Sequence, residues 1–518
     1  MHLVTVAEMR AADRYTIEEL GISGLVLMEE AGRLVTELSL RLLKGQQSKG
    51  VVIWAGRGNN GGDGFVVARR LYLAGYQPQV FLVCDDPERV KGDARRNLDI
   101  LRRLNIALDQ VWSEIEFSRA AQAAASAALQ VDALVGTGSR GALTGPLAQA
   151  VVAMNDAETP IVAVDLPSGL NADTGQVPGK VVRASHTVTI GRAKPGLLTY
   201  PGAKYVGRLQ VVDIGIPPQA YDGRRPQTFS SDKSDLAGIL PRWSPTVHKG
   251  QRGRVLVVGG SPGLSGAACL ASEAALRAGA GLVTLAVPEG LHNLMEIKLT
   301  EVMTSPLPET ATGCISLEAA KLILDHGAEA DVLALGPGLG SGPELPAAVA
   351  RIVGRAEVPL VIDADGLNAL VGQLGVLAAK RAPLILTPHP GELARLANTT
   401  AAHVQAQRLP LARELAQQWG VVMVLKGART IIAAPDGTCY INSTGGPALA
   451  TGGSGDVLTG VIAGLLAQGL GPVQAAVAGV FVHGLAGDMA SGQLGGSRGV
   501  VAGDLIDLLP AALAALEQ

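Results

Sequence analysis

Residues 451–460 read TGGSGDVLTG and lead into an apolar segment with helical periodicity. The glycines allow backbone N–H groups to approach a phosphate closely, and the N-terminus of the helix predicted at 456–466 carries a partial positive charge. Asp456 stands at the start of that helix, where its carboxylate can take a proton from a hydroxyl group that meets the phosphate. A glycine-rich turn with an ordinary helical Asp fits this motif equally well, so the rest of the chain has to decide.

Composition predicts a globular protein of two or three domains. The chain has 518 residues, which is too long for one hydrophobic core. Its formal net charge of −3 gives no support for nucleic-acid binding. Polar residues interrupt the most apolar stretch, 457–489, which we interpret as buried helices and not as a membrane span. Charged residues near the N-terminus argue against a signal peptide, so we expect a cytoplasmic protein. Reduced, buried thiols are expected at the four unpaired positions Cys84, Cys269, Cys314 and Cys439.

Short Val/Ile/Leu runs alternate with helical stretches throughout, which is typical of parallel α/β architecture. In the first half we predict a helix at 64–74 and strands at 51–55, 79–83, 132–135, 161–165, 187–190 and 209–214. In the second half we predict helices at 267–278 and 456–466, and strands at 255–259, 282–287, 332–335, 360–363, 384–387 and 421–425. The intervening segment 216–226 is polar and rich in helix and strand breakers. We therefore predict two α/β domains, 1–222 and 232–518.

Three strand ends in the first domain carry polar, glycine-bearing segments: GRGNNGGDG at 56–64, DALVGTGSRG at 132–141 and VDLPSG at 164–169. Ligands of open α/β sheets bind at the carboxyl ends of the strands. The Asn and Asp oxygens suit a ribose hydroxyl or a hard monovalent cation. Each segment alone is more often a turn, whereas three together favour a binding site. Asp165 is the best candidate for acid/base chemistry, with an Asx turn that ends the strand as the alternative.

The second domain carries further motifs ahead of its glycine loop: HKG at 248–250, GPGLG at 336–340, DADGLN at 363–368, TPHPGE at 387–392 and KG at 426–427. Residues 426–430 follow a predicted strand and supply a cation and backbone donors for nucleotide phosphates. The amides of 452–455 can stabilise charge on a transferred phosphoryl group. Asp363 and Asp365 are weaker candidates to orient a magnesium ion through water. His389 lies between two prolines, so a turn histidine is the alternative to a ligand contact.

The first-domain segments, with MEEAG at 28–32, resemble the epimerase of the NAD(P)H-hydrate repair system. The resemblance implies a Rossmann-like three-layer α/β/α fold, a potassium ion held by Asn60, Asp132 and Ser168, and acid/base exchange by Asp165 at the carbon that carries the hydroxyl. It implies that the hydrated nucleotide contacts Asn59, Asn60, Gly61, Gly62, Asp63, Gly136, Thr137, Gly138, Ser139, Arg140, Gly141, Ala142 and Asp165.

The ordered motifs of the second domain, over about residues 240–515, resemble the ADP- or ATP-dependent NAD(P)H-hydrate dehydratase, which has a ribokinase-like fold. The resemblance implies that Asp456 deprotonates the hydroxyl, that ADP supplies the phosphoryl group and yields AMP and phosphate, and that magnesium takes part. It implies hydrate contacts from Ala267, Gly338, His389 and Asp456. It implies nucleotide contacts from Lys426, Gly427, Ala428, Arg429, Thr430 and Gly455. The chain departs from the family at 445–451, where GGPALAT stands in place of a pattern close to GNPGMAT, with Gly446 and Ala448 at the two changed positions.

We interpret the chain as a bifunctional repair enzyme for hydrated NADH and NADPH, in which one domain interconverts the R and S epimers and the other dehydrates the S form. We expect a homo-oligomer with small-molecule substrates and with neither a nucleic-acid nor a membrane partner. Two alternatives remain open. In one, the second domain is a kinase for a small molecule such as a vitamin precursor, because such kinases share the GSGD motif. In the other, the first domain is a nucleotide-sensing module.

Overall fold

The computed structural model of the protein describes residues 1–138, 141–221 and 227–517. These residues form two compact units, His2–Thr228 and Phe229–Gln518. Both units are α/β domains built around a largely parallel sheet, which confirms the predicted fold class. The predicted end of the first domain, residue 222, lies outside the described residues.

The first domain is built on a seven-stranded parallel sheet. Its strands are β2 (Gly50–Ala55), β3 (Gln77–Leu82), β4 (Ala107–Gln110), β5 (Leu129–Ala133), β6 (Ile161–Val164), β7 (His186–Ile190) and β8 (Arg208–Val212); the two-residue strand β1 (His2–Leu3) precedes α1 and is not part of this sheet. Its helices are α1 (Val6–Arg14), α2 (Gly24–Leu43), α3 (Asn59–Leu73), α4 (Gly92–Arg103), α5 (Glu114–Ser126) and α6 (Gly145–Asp156). The sheet order is β4-β3-β2-β5-β6-β7-β8.

Successive side chains of β2 point to opposite faces of the sheet, so the core of this domain lies in two layers. Val51 and Ile53 pack with α2, α3 and α4 on one face of the sheet, whereas Val52 and Trp54 pack with α5 and α6 on the other. Both faces are therefore buried, which explains why the strands read as continuous apolar runs. Six predicted strands are present, although Asp132 occupies the fourth position of β5 instead of the first. Strand β4 was not predicted, because its residues are polar and mostly exposed.

The start of α3 corrects one prediction. The helix begins at Asn59 and not at residue 64, so the NNGGDG segment forms its first turns instead of a loop. A Cβ atom on Gly61 would overlap the Gly56 carbonyl oxygen, and one on Gly64 would lie 2.6 Å from the Ala133 Cβ. The glycines thus let the helix pack directly on the ends of two strands. Asn60 and Asp63 consequently lie three residues apart on one helical surface.

The second domain has a longer mixed sheet. Its strands are β9 (Thr228–Ser231), β10 (Arg254–Val258), β11 (Leu282–Pro288), β12 (Met303–Leu307), β13 (Val332–Leu335), β14 (Leu360–Ile362), β15 (Leu384–Leu386), β16 (Val422–Leu425), β17 (Ile431–Ala433) and β18 (Cys439–Asn442). Its helices are α7 (Lys233–Leu236), α8 (Ser265–Arg277), α9 (Glu289–Lys298), α10 (Ala319–Gly327), α11 (Leu345–Arg355), α12 (Ala364–Ala369), α13 (Pro390–Leu396), α14 (Ala401–Ala406), α15 (Arg408–Trp419), α16 (Ser454–Ala467), α17 (Pro472–Gln493) and α18 (Ala502–Glu517).

Within this domain the strand order is β9-β18-β17-β16-β15-β14-β13-β10-β11-β12. The strands from β12 to β16 are parallel, and β16, β17 and β18 pair antiparallel. All six predicted strands are present within two residues of their predicted limits. Strands β9, β12, β17 and β18 were missed, because short strands of three to five residues carry too little periodicity to stand out.

Helices α16 and α17 form the core of the second domain, as the apolar stretch 457–489 predicts. Helix α17 is long and apolar enough to cross a membrane by length and composition alone, yet 72% of its apolar window is buried within the protein. Helix α16 packs closely on α8 at Gly460, where a Cβ atom would overlap the Ala271 carbonyl oxygen. The four cysteines are free and buried, as predicted.

We expect Gly460→Ala to lower the free energy of unfolding by about 2–3 kcal/mol, because the added methyl group forces α16 away from the backbone of α8. Urea unfolding of the full chain, followed in the transition that reports the second domain, measures the change. Gly492→Ala in α17 is the matched control, since no atom lies within 4 Å of its Cβ position. That control is expected to leave the stability unchanged or to raise it by up to about 1 kcal/mol, and a similar loss in both variants would contradict the packing argument.

Candidate active sites

A cavity of about 810 Å³ lies at the carboxyl ends of β2, β5 and β6 in the first domain. This volume is within the range of small-molecule binding sites. Seven predicted residues line it: Asn59, Asn60, Asp63, Gly136, Thr137, Gly138 and Asp165. Gly61 and Gly62 lie in α3 and instead pack against protein atoms outside that helix. Gly141 and Ala142 are not part of the cavity wall. Ser139 and Arg140 lie outside the described residues.

Asp165 follows β6 with a φ of +67°, an uncommon backbone conformation for a residue other than glycine. Its Oδ1 accepts hydrogen bonds from Lys194 Nζ at 2.5 Å, from Thr189 Oγ1 at 3.2 Å and from the Ile190 amide at 3.2 Å. All three donors lie beyond β6 in the chain, at the end of β7 or after it, so the carboxylate does not close an Asx turn of its own. The geometry therefore favours a functional role for Asp165 over the turn.

Lys194 is the main first-domain residue that sequence reasoning missed. Its side chain is 1% exposed, and its ammonium group also donates to the Ile190 carbonyl oxygen at 2.9 Å and to Thr189. A buried lysine needs a partner of opposite charge, and Asp165 is that partner. The sequence offers only a weak signal, a lysine that follows an apolar strand and precedes Pro-Gly at 195–196.

Two further carboxyl groups line the same cavity. Burial, reinforced by the charge of Asp165 and opposed by Lys194, raises the pKa of Asp13 to about 6. Burial also raises the pKa of Asp63 well above its usual range, with Asp165 and Asp13 adding to the effect. Asp13, on α1, was not singled out from the sequence, because a lone aspartate in an amphipathic helix carries no motif.

The predicted potassium ligands lie beside this cavity. Asp132 Oδ1 accepts from Ser168 Oγ at 2.7 Å and from the Leu134 amide, and Oδ2 accepts from the Ser168 amide at 2.8 Å. Burial raises the pKa of Asp132 to about 6, and the hydrogen bonds that oppose this shift come from neutral groups. The Asn60 side chain packs against Gly136, and its buried Nδ2 atom has no hydrogen-bond partner among the described residues. A buried carboxylate whose hydrogen bonds come only from neutral groups fits a monovalent cation, whereas Asn60 Nδ2 is a donor and supplies no lone pair to one.

In the second domain, an ion pair joins the ends of β14 and β16. Lys426 Nζ lies 2.6 Å from Asp363 Oδ1, and Thr459 Oγ1 of α16 donates to Asp363 Oδ2 at 2.8 Å. A Cβ atom on Gly455 would lie 3.4 Å from Lys426 Nζ, which shows how closely the start of α16 approaches the lysine. The structure therefore brings together the predicted nucleotide-binding residues Lys426 and Gly455.

Asp456 lies in the first turn of α16, which begins at Ser454 and not at residue 456. The amides of this turn have no partner within the helix, which suits them to an anion. Burial raises the pKa of Asp456 to about 6, with Asp363 adding to the shift and Lys426 opposing it. A carboxylate whose pKa lies close to neutrality is well matched to general base catalysis.

His389 is the N-cap residue of α13. Its Nδ1 accepts from the Gly391 and Glu392 amides at 3.0 and 3.2 Å, while Glu392 accepts from the His389 amide at 2.7 Å. Burial and the charge of Lys426 lower the pKa of His389, so its ring is neutral and carries its proton on Nε2. The turn role is thus present, and Nε2 of the half-exposed ring lies 3.4 Å from Glu392 Oε1, so the predicted ligand contact stays a prediction.

The other predicted hydrate contacts, Ala267 and Gly338, are neighbours, since a Cβ atom on Gly338 would lie 3.2 Å from that of Ala267. Asp365 Oδ2 accepts from the Gly340 amide at 2.9 Å and so holds the GPGLG segment. Lys426 and Thr459 each donate one hydrogen bond to the Asp363 carboxylate, whose oxygens keep further lone pairs, so an outer contact of Asp363 or Asp365 with magnesium through water stays a prediction.

Residues 426–430 turn back sharply after β16. Arg429 has a φ of +58°, and its guanidinium donates to the Ser443 carbonyl oxygen, while Thr430 Oγ1 donates to the Gly427 carbonyl oxygen at 3.1 Å. The buried Arg408 supports this segment from behind, with hydrogen bonds to the Leu425 and Lys426 carbonyl oxygens. Burial lowers the pKa of Arg408 to about 10. The predicted segment is present, but the Arg429 guanidinium binds protein and Ala428 contributes only backbone groups to any phosphate.

Helix α17 contacts both ends of the segment 445–454, which leads into α16. The sequence did not reveal these contacts. His483 Nε2 lies 2.9 Å from the Ser454 carbonyl oxygen, and Asp488 Oδ2 accepts from the Gly445 amide at 2.8 Å. The departure at Gly446 falls beside this contact, since a Cβ atom there would lie 3.6 Å from Asp488 Oδ1. A histidine and an aspartate in an otherwise apolar helix are the signal that could have found this pair.

Each of the two domains matches a known protein family. The family model described as NAD(P)H-hydrate dehydratase matches residues 255–511, and the one described as YjeF-related protein N-terminus matches residues 24–196. The chain is 49% identical to the bifunctional NAD(P)H-hydrate repair enzyme of Moorella thermoacetica, over 100% of this chain and 98% of the relative. It is 40% identical to the enzyme of the same description from Thermofilum pendens, over 100% and 97%. The solved ADP/ATP-dependent NAD(P)H-hydrate dehydratase of Bacillus subtilis is 32% identical, with a TM-score of 0.48 over 56% of this chain and 99% of that one.

We expect His483 to make the second domain less stable in acid. Burial lowers the pKa of His483 to about 4 from its ordinary 6.5, so the unfolded chain takes up a proton that the folded chain refuses as the pH falls through this window. The stability contributed by the neutral ring is complete above 6.5 and is lost progressively towards about 4. In His483→Asn, the loss of unfolding free energy between about pH 7 and about pH 5 should be about 2 kcal/mol smaller than in the wild type.

Urea unfolding at the two pH values measures this difference. His403→Asn is the matched control, because His403 is exposed at the surface. An equal pH dependence in the wild type and His483→Asn would contradict the role of the buried ring.

Proposed function

Because the chain belongs to the family of bifunctional NAD(P)H-hydrate repair enzymes, we propose that its first domain interconverts the R and S epimers of hydrated NADH and NADPH and that its second domain dehydrates the S epimer with ADP. The observation that carries this proposal is the pairing of two lysine–carboxylate centres, each at the carboxyl edge of its own parallel sheet. One centre is Lys194–Asp165 beside the 810 Å³ cavity, and the other is Lys426–Asp363 beside Asp456.

In the first domain, Asp165 is proposed to carry out acid/base exchange at the carbon that bears the hydroxyl, by moving protons to and from the oxygen that leaves and returns. Water adds to a dihydropyridine so that its oxygen is bonded to the carbon next to the ring nitrogen, because nitrogen stabilises positive charge there. The same nitrogen can therefore expel the hydroxyl group, and water can return from either face. Lys194 holds the Asp165 carboxylate in place through a 2.5 Å hydrogen bond while the substrate turns over.

In the second domain, Asp456 is proposed to remove the proton of the hydroxyl group, whose oxygen takes the terminal phosphoryl group of ADP as AMP leaves. Lys426 and the amides at the start of α16 stabilise the charge of that group. Phosphate then departs with the electrons of its C–O bond, and loss of a proton from the adjacent ring carbon restores the double bond. Magnesium would neutralise charge on the ADP phosphates, and Asp363 and Asp365 would orient it through water.

We further propose that Asn60, Asp132 and Ser168 hold a potassium ion in the first domain. When bound, the ion supplies the positive charge that the buried Asp132 carboxylate lacks and fixes the strand ends that line the cavity. Four free, buried thiols support a cytoplasmic location, which we also propose. The expected homo-oligomer stays a prediction.

The decisive experiment mixes the full chain with R and S hydrates of NADH and ADP, and follows the return of reduced-nicotinamide absorbance. The wild type should recover both epimers. Asp165→Asn should stop at the S fraction, and Asp456→Asn should recover nothing, because each loses a proton-transfer group worth at least about 100-fold in rate. Combining the two variants should restore full recovery, which shows that the unsubstituted domain of each variant is folded and active. Nucleotide consumption without any recovery by the wild type would contradict the proposal and favour a kinase.

Replacing potassium with lithium should slow epimerisation and leave dehydration of the pure S hydrate unchanged, because only the first domain is proposed to hold the ion. Asp132→Asn should raise the potassium concentration for half-maximal epimerisation by at least about tenfold. Chromatographic separation of the epimers measures the first rate, and recovery of absorbance measures the second. Equal epimerisation in both salts would refute the potassium proposal.

A further inference from the structure

The first-domain cavity is lined by nine charged residues among those described: Asp13, Asp63, Asp85, Asp93, Asp165, Arg10, Arg57, Arg89 and Lys194. Arg89 pairs with Asp85, and the Arg10 guanidinium donates to the Thr137 carbonyl oxygen. The Lys194 ammonium group is committed to Asp165, Thr189 and the Ile190 carbonyl oxygen. No hydrogen bond from the described part of the chain reaches the carboxyl groups of Asp13 or Asp63. The partly exposed carboxyl group of Asp13 and the buried carboxyl group of Asp63 therefore face the substrate space without a hydrogen bond from the described residues.

Of these two residues, only Asp13 lies on an element that carries no proposed potassium ligand. It lies in the last turn of α1, whereas Asp63 lies three residues from the proposed ligand Asn60 on α3. The charged and titratable groups that act on Asp13 or on which it acts are Asp165 after β6, Lys194 after β7, Asp63 on α3 and Tyr221. The cavity thus places an unpartnered acid from one element near a lysine-paired carboxylate from another.

Epimerisation at the hydroxyl-bearing carbon needs two proton transfers of opposite direction. The departing oxygen must gain a proton to leave as water, and the water that adds to the other face must lose one. The two transfers take place on opposite faces of the ring, so a carboxyl group held on one face does not reach the oxygen on the other. Sites of this kind use two carboxyl groups whose surroundings favour different protonation states.

We propose that Asp13 is the second catalytic residue of the first domain, donating a proton to the departing hydroxyl while Asp165, whose charge Lys194 balances, accepts one from the incoming water. The C–O bond breaks with its electron pair on oxygen, the ring nitrogen forms a C=N bond, and water then adds to the opposite face. Each turnover moves one proton from Asp13 to Asp165, and either exchange with solvent or a turnover in the reverse direction restores the starting state. The inference rests on the epimerase activity proposed above.

The electrostatic environment supports this division of roles. Burial and the charge of Asp165 raise the pKa of Asp13 to about 6, although Lys194 opposes the shift. The protonated, donating form is therefore abundant below about 6 and declines as the pH rises. The rate of epimerisation of the R hydrate should consequently fall as the pH rises above about 6.

The test starts from pure R hydrate without ADP and measures kcat and KM for appearance of the S hydrate by chromatography, from about pH 6 to about pH 9, after subtraction of the uncatalysed rate. Asp13→Asn should lower kcat by at least about 100-fold, change KM by less than about threefold, and remove the decline of rate with increasing pH. Formate added to Asp13→Ala should restore part of the rate, since the cavity has room for a small external acid. Dehydration of the S hydrate with ADP should be unaffected in every variant.

Glu18→Gln is the matched control, because Glu18 is an exposed acid in the segment that directly follows α1. A wild-type chain that does not epimerise contradicts the proposed function itself. Wild-type epimerisation that shows no decline above about pH 6 overturns this inference without any variant. An Asp13→Asn chain with wild-type kcat also overturns it, and so does loss of the pH dependence in Asp63→Asn but not in Asp13→Asn.

Discussion

Each domain contains one buried lysine whose positive charge must be balanced by a carboxylate beside it. Lys194 is 1% exposed and meets Asp165, and Lys426 is largely buried against Asp363. A buried ammonium group without a partner is severely destabilising, so removing either carboxylate costs about 3–5 kcal/mol. The carboxyl edges of the sheets are thereby fixed, because one ion pair joins the ends of the neighbouring strands β6 and β7 and the other joins the ends of β14 and β16, on either side of β15. The loops and helix starts that build the two sites are arranged around these fixed edges.

The two pairs place their acids differently. In the first domain the lysine binds the proposed acid/base residue directly, at 2.5 Å. In the second domain Lys426 binds Asp363 instead, and Asp456 experiences both members of the pair through their charges. Asp363 also accepts from Thr459 of α16. It therefore links the lysine to the helix that carries Asp456, which gives this carboxylate a positioning role.

The sequence predicted the fold class and the central strands well, because parallel strands buried on both faces read as unbroken apolar runs such as Val332–Leu335. It failed at the start of α3, where Asn-Asn-Gly-Gly reads as a turn. Only the close contact of Gly61 with the Gly56 backbone explains a helix there. It also missed Asp13, Lys194 and His483, since a single polar residue gains its meaning from neighbours distant in the chain. Motifs located the sites, and tertiary contacts supplied the residues that hold them.

The early start of α3 has a consequence for the thermodynamics of recognition. A flexible glycine loop loses conformational entropy when it closes around a ligand. Here the glycines are already locked into helical turns by packing on β2 and β5. The polar groups that line the cavity are therefore ordered before any nucleotide arrives. Binding to such a rigid surface spends little free energy on ordering the protein, so more of the contact energy appears as affinity.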